Sequence, residues 1–152
     1  MGTEVSACNS VGFVEVLRDD AAAGWQRLEH ALLLARERDE VAVAARTYAN
    51  LASLAVVHRR FDTLREVCAE GLACTEAHDL DRSTAVLRIR LAAGDIEQGR
   101  WAAAREALLR LRRDIDLAPL QDEQSRHLLA KIDLREGSDG RGASQQRVSH
   151  VS

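Results

Sequence analysis

Three side chains on one predicted helix have the chemistry of metal ligands. Glu70, Cys74 and His78 recur at intervals of four residues, which places them along one helix face. Carboxylate, thiolate and imidazole groups all bind zinc. Eight residues of helix span about 12 Å, however, so one face brings together two of these ligands at most. We therefore expect a buried cysteine and a histidine beside a helix C-terminus, with no metal site and no cofactor.

The remaining charged residues form no catalytic set. Asp79 with Asp81, and Asp114 with Asp116, are paired only along the chain, and no nucleophile, base and oxyanion-binding group can be assembled around them. The sequence contains neither a G-x-x-x-x-G-K-[ST] phosphate loop nor a G-x-S-x-G nucleophile motif. We expect no catalytic residue and no enzymatic activity.

The overall charge and the cysteine content restrict the partners and the compartment. A net charge of −3 and a pI of about 6.0 argue against a nucleic-acid-binding face. No apolar run approaches the roughly 20 residues that cross a bilayer, so no membrane contact is expected. Three cysteines form an odd, sparse set that fits reduced thiols in a cytoplasm.

Apolar residues at steps of three and four predict six helices after Gly24. Asp39 with Glu40, and Asp79 or Asp81, are expected to cap helix N-termini, and Gly99 to end a helix in the left-handed conformation. The third to sixth helices are predicted at about 61–78, 83–98, 101–113 and 120–135. These elements divide the chain into an irregular segment (1–20), a helical-repeat domain (21–136) and a polar tail (137–152) that should be disordered.

Three predicted helices open with an aromatic residue, which indicates a repeat. Trp25, Phe61 and Trp101 are 36 and 40 residues apart, slightly more than the period of about 34 residues of tetratricopeptide (TPR) repeats. We expect an all-α fold of TPR-like antiparallel helical repeats, two whole repeats with a half repeat on each side, forming a short right-handed α-solenoid. An ordinary helical bundle is the alternative. The residues expected to pack the repeats are Trp25, Tyr48, Leu51, Phe61, Leu64, Gly71, Leu91, Trp101 and Ala104.

Four strings of residues carry a more particular resemblance. Residues 44–53 (AARTYANLAS), 70–72 (EGL), 76–81 (EAHDLD) and 98–101 (QGRW) resemble the helical-repeat region of large LuxR-type transcriptional regulators, and the resemblance extends over 21–136. In that family an ATPase and a helix-turn-helix flank a TPR-like arm that receives a signal and mediates self-association. This chain has no phosphate loop and no recognisable helix-turn-helix after Arg135. The resemblance therefore implies the arm alone.

The first helices of successive TPR-like repeats line a groove, which is the expected binding surface. Its residues here are mostly small or apolar, so the expected ligand is an apolar peptide or helix, and packing against further repeats is the alternative. The main hypothesis is the interaction arm of a LuxR-type regulator, with a protein partner or a homo-oligomer. A stand-alone TPR adaptor is the second hypothesis, and a metal protein or enzyme using Cys74 and His78 is the third. The expected groove residues are Ala49, Ser53, Val56, Val57, Ile89, Ala93, Ile96 and Glu97.

Overall fold

The predicted all-α fold is confirmed over the part of the chain that the structure describes. This computed structural model describes the backbone of residues 21–149 and the side chains of 22–138, so the predicted N-terminal segment 1–20 lies outside it. No strand occurs within those bounds. None of the described helices is long and apolar enough to cross a lipid bilayer. The helices are α1 (Ala21–Glu37), α2 (Val41–Val57), α3 (Phe61–Ala77), α4 (Asp81–Glu97), α5 (Trp101–Asp114) and α6 (Pro119–Ser149).

The first four connections are equivalent three-residue turns. Each contains one residue with positive φ, and these residues, Asp39, Arg59, Asp79 and Gly99, stand 20 positions apart. In each turn the amide after this residue bonds the carbonyl five positions earlier, as from Glu40 to Ala35 at 2.8 Å, which is the Schellman pattern of helix termination. A helix with its turn therefore occupies 20 residues and a helical hairpin 40, so the single helix is the evenly spaced unit.

The expected capping residues take other positions in these turns. Asp39 and Asp79 adopt the left-handed conformation, and the N-cap residues of α2 and α4 are Glu40 and Leu80, without side-chain capping bonds. Aspartate tolerates positive φ better than most residues, so at these positions it ends one helix rather than starting the next. Gly99 ends α4 with φ 78°, as predicted.

Helix packing distinguishes the even-numbered helices from the odd-numbered ones. Consecutive helices pack along the whole series, and α2 also approaches α4, and α4 approaches α6. No Cα atom of α3 comes within 8 Å of α1 or α5 among the described helices. The even helices thus form a contiguous layer, with α4 in contact with α2, α3, α5 and α6, while the odd helices stand apart from one another.

The core follows this arrangement in two main clusters. One joins α1 to α4 around Tyr48, Leu64, Cys68 and Leu87, and the other joins α4, α5 and α6 around Ile89. Burial raises the pKa of the Cys68 thiol to about 12, so this thiol stays protonated and inert. The predicted packing residues lie in or against the core: Tyr48, Leu51, Leu64 and Ala104 are at most 3% exposed, Gly71 is buried, and Trp25, Phe61, Leu91 and Trp101 are half-buried.

Two glycines allow neighbouring helices to approach closely. A Cβ atom at Gly94 would lie 2.5 Å from Cδ2 of Leu64, and one at Gly71 would lie 2.8 Å from Cδ1 of Leu87. Both distances are shorter than van der Waals contact, so a larger side chain at either position would force Leu64 or Leu87 to move. Glycine inside a helix costs about 1 kcal/mol relative to alanine. At Gly94 the close packing of Leu64 offsets this cost.

The last helix is longer than predicted. The sixth helix was expected to end near Arg135 and to be followed by a disordered tail, whereas α6 is helical to Ser149. The prediction rested on the lack of apolar residues after Gly137. An existing helix gains one backbone hydrogen bond for each residue added, without a new nucleation cost, so it can continue beyond the segment that packs on the core.

Candidate functional site

The expected groove residues divide into exposed and buried groups on the face formed by α2, α4 and α6, here called the even face. Ala49, Ser53 and Ala93 are half-buried on it, and Val57 is 63% exposed. Ile89 and Ile96 are 1% and 0% exposed, so both belong to the core, and Ile89 also lines the cavity between α4 and α6. Because α4 packs against four other helices, few of its apolar side chains are open to solvent. Val56 packs against the first cluster.

The even face contains an open cavity between α4 and α6, here called the even groove. Its volume is about 340 Å³. Ala93, Leu120 and Leu128 supply apolar surface, and Glu123, Gln124 and His127 of α6 supply polar groups. Leu120 is 59% exposed. The groove thus combines accessible apolar carbon with a few polar side chains, as binding sites do.

Arg90 is the charged residue of α4 in the even groove. Its side chain is half-buried, and its Nε donates a hydrogen bond of 2.9 Å to the hydroxyl of Ser53 on α2. Ser53 in turn donates to the carbonyl of Ala49 at 2.9 Å. Burial lowers the pKa of Arg90, and no carboxylate among the described residues forms a salt bridge with it. A guanidinium removed from water without an anion is energetically unfavourable.

A second polar cluster lies on the even face where α4 ends. Glu97 accepts from Lys131 at 2.9 Å and from Arg59 at 3.2 Å, and Arg135 lies 3.7 Å away. The hydrogen bond from Lys131 is the largest of the effects that hold the Glu97 pKa below its ordinary value. Glu97, expected as a groove residue, is therefore an ionic bridge that ties α4 to α6 and to the α2–α3 turn.

A larger cavity lies on the opposite side of α4, between α3 and α5, and is here called the odd trough. Its volume is about 520 Å³, and its apolar floor includes Phe61, Leu64 and Leu91. Arg88 spans the trough and pairs with Glu76 of α3 at 2.9 Å and with Asp114 of α5 at 3.5 Å. Matched charges from three helices therefore form part of the lining of the trough.

The residues first considered as zinc ligands serve other contacts. His78 Nδ1 lies 2.8 Å from the carbonyl oxygen of Cys74, at the end of α3. Glu70 faces Arg36 at 3.8 Å. Among residues 22–138, no group of three or more His, Cys, Asp or Glu side chains is arranged to hold a metal ion.

Comparison with known proteins adds no family assignment. No protein-family model, no curated protein and no solved structure matches this chain.

Sequence reasoning did not find Arg90 and His127. Arg90 lies in a stretch that also contains Arg82, Arg88 and Arg100, in a chain that is rich in arginine. Nothing in its sequence position distinguishes it from a solvated surface residue. Only the packing of α2 and α6 against α4 reveals that its charge is partly desolvated and that no described carboxylate pairs with it.

Proposed function

We propose that this chain is a protein–protein interaction or self-association module, a TPR-like arm of the kind that LuxR-type transcriptional regulators contain. The observation that carries the proposal is the even groove, where Leu120 and Ala93 leave apolar surface accessible beside Arg90, a cation that no carboxylate of the described residues pairs. Accessible apolar surface with few polar groups is what a docking segment of another protein requires.

The regular architecture supports a repeat protein. Turns with positive φ recur every 20 residues, and the even helices contact one another in series. In TPR-like solenoids such a series presents a continuous binding surface. On this proposal α2 with α3, and α4 with α5, are the two TPR-like repeats of a short right-handed α-solenoid, and α1 and α6 are the half repeats.

Self-association is supported by apolar side chains outside the groove as well. Large hydrophobic residues that are at least 44% exposed occur on α1, α2, α5 and α6, and a repeat array exposes such residues where stacking stops. The second form of the proposal, a stand-alone adaptor that binds an apolar peptide, uses the same groove with a different protein as occupant. The exposed residues outside the groove are Leu33, Val57, Leu109 and Leu134.

Matched arginine substitutions test the proposal. Ala93→Arg and Leu120→Arg place a long charged side chain in the even groove, and Ala107→Arg places the same side chain in the exposed wall of the odd trough. Sedimentation velocity would measure self-association of each purified chain. Quantitative affinity capture from the source cells would measure partner retention.

We expect both groove variants to lose self-association or a specific partner that the wild type and Ala107→Arg retain. Loss of self-association supports the arm hypothesis, and loss of a different protein supports the adaptor hypothesis. A chain that is monomeric at high concentration and retains no partner in any form contradicts both. Circular dichroism of each variant establishes that it is folded.

A further inference from the structure

We infer that the even groove binds an acidic segment of a partner protein and that a carboxylate of this segment pairs with Arg90. The inference rests on the proposed interaction function and names the chemistry of the partner.

Arg90 has hydrogen-bonding capacity left to offer. A guanidinium carries five N–H donors, and the one that is engaged, on Nε, bonds the neutral hydroxyl of Ser53. This bond holds the proximal part of the guanidinium against α2. The two terminal nitrogens make no hydrogen bond among the described residues, and Arg90 lines the cavity. They present the planar fork that matches a carboxylate.

The contrast with Arg88, two residues earlier on the same helix, shows that this arrangement is not a general property of α4. Arg88 has carboxylate partners on both sides, from Glu76 and Asp114. Within residues 22–138, the arginine on the odd side of α4 is thus paired with carboxylates, and the one on the even side is not. An acidic ligand would supply what the described residues do not.

The charge of the groove selects a monoanion. Among the described residues of its lining, Arg90 is the one arginine or lysine, and Glu123 of α6 also lines the cavity. A dianionic phosphate group is bound in proteins by several cations or backbone amides, and the carboxylate of Glu123 would repel it strongly. A single carboxylate matches the single guanidinium and is repelled less by Glu123, with Gln124 and His127 as further polar contacts.

The cavity favours a polypeptide segment over a free small molecule. A volume of about 340 Å³ is near the lower end for small-molecule sites, and the cavity is an open groove. It has room for one or two side chains that enter from a backbone lying outside. Leu120 and Leu128 give these side chains an apolar surface beside the charged one, so the expected ligand has an acidic residue next to an apolar residue.

A random peptide display library panned on the immobilised full chain tests the inference. Three further targets are panned in parallel: Arg90→Met, Arg90→Lys, and Arg113→Met as a matched control, since Arg113 is exposed on α5 and outside the groove. The wild type and Arg113→Met should enrich peptides with Asp or Glu next to an apolar residue. Arg90→Met should lose the acidic preference and keep the apolar one, and Arg90→Lys should keep part of the acidic preference.

The best peptide is then synthesised with Glu, Gln or phosphoserine at the selected acidic position and titrated by calorimetry. Replacing Glu with Gln should weaken binding to the wild type about tenfold, because a charge-assisted pair is lost. The same replacement should change binding to Arg90→Met by less than about twofold.

Three results would overturn the inference and leave the proposed interaction function standing. They are peptides without an acidic preference, an acidic preference that Arg90→Met retains, and tighter binding of the phosphoserine peptide. If Arg90→Met abolishes self-association, the acidic segment belongs to a second copy and the assignment to a partner protein is wrong. Failure to enrich any peptide, in a chain that also remains monomeric, would overturn both the inference and the proposed function.

Discussion

The two cavities beside α4 differ in a way that their sizes do not indicate. The odd trough is the larger, at about 520 Å³ against about 340 Å³ for the even groove. Yet Arg88 in the trough has two carboxylate partners, whereas Arg90 in the groove bonds only a hydroxyl among the residues whose side chains the structure describes. A cavity whose charges are matched internally is explained by helix packing alone. A cavity that contains a charge without a counter-ion is a better candidate for binding, because a ligand can supply that counter-ion. The even groove, although smaller, is therefore the better candidate.

The largest expected effect is the difference in stability between substituting a leucine in the floor of the odd trough and substituting a leucine in the even groove. Leu64 is 2% exposed and Leu120 is 59% exposed. Leu64→Ala should lower the free energy of unfolding by about 3 kcal/mol, because it leaves a cavity in the first core cluster. Leu120→Ala should lower it by less than about 0.5 kcal/mol and weaken partner binding instead. Urea titrations followed by circular dichroism measure the free energy of unfolding of each variant. Equal losses of stability in Leu64→Ala and Leu120→Ala would remove the distinction between the two cavities.

Replacing Arg88 or Arg90 by methionine should change the free energy of unfolding in opposite directions. Arg88→Met breaks the bridge between α3 and α5 and leaves Glu76 and Asp114 without their cation, so we expect a loss of about 1 kcal/mol. Arg90→Met removes a desolvated cation that no described carboxylate balances and should raise stability by about 1 kcal/mol. Thermal unfolding of both variants gives the comparison. A loss of stability in Arg90→Met would mean that its charge is already balanced in the free chain.

The carboxylate of Glu97 makes the even face sensitive to acid. Its pKa is lowered in the folded chain, chiefly by the hydrogen bond from Lys131. A depressed carboxyl pKa stabilises the fold above the unfolded value of about 4.3, and this contribution is lost as pH falls through the folded value. Glu97→Gln should therefore lower stability at neutral pH, by less than about 1 kcal/mol because solvent screens a partly exposed pair, and by less still as the pH falls through the folded pKa of Glu97. Glu106→Gln, which removes an exposed pair with Arg110, is the control.

The smallest expected effect tests the repeated turn. Asp79→Gly replaces a residue with φ 53° by one that adopts this conformation without strain, so stability should rise by about 0.5–1 kcal/mol. Gly99→Ala at the equivalent position, where φ is 78°, should lower stability by about 1 kcal/mol. Chemical unfolding measures both. If both substitutions raised the free energy of unfolding, or both lowered it, the turns would not be equivalent.

Most of the helical framework could be predicted, because it depends on local signals. The aromatic residues Phe61 and Trp101 mark the first residues of α3 and α5, and Gly99 marks the end of α4. The equivalent turn positions held by Asp39, Arg59 and Asp79 were not recognised, since these residue types are also common at helix N-caps and on surfaces. The regular spacing of 20 residues therefore emerged only from the structure.

From the sequence, the candidate site could be predicted only as the even face, and not as the particular residues that form the even groove. Ala49, Ser53 and Ala93 do lie half-buried on the even face, but Ile89 and Ile96 are buried, because periodicity does not reveal that α4 is surrounded by four helices. Arg90 could not be identified for a related reason. Whether an arginine is paired depends on carboxylates far away in sequence, and these positions are set by tertiary packing.

Site-specific photo-crosslinking tests most directly the claim that the even groove, and not the odd trough, is the interaction surface. A benzophenone amino acid would replace Ala93 in one variant and Ala107 in the other, with the full chain expressed in its source cells. The account predicts a discrete crosslinked species, to a partner or to a second copy, from position 93 and none from position 107. A species from position 107 alone, or from neither position, would contradict it.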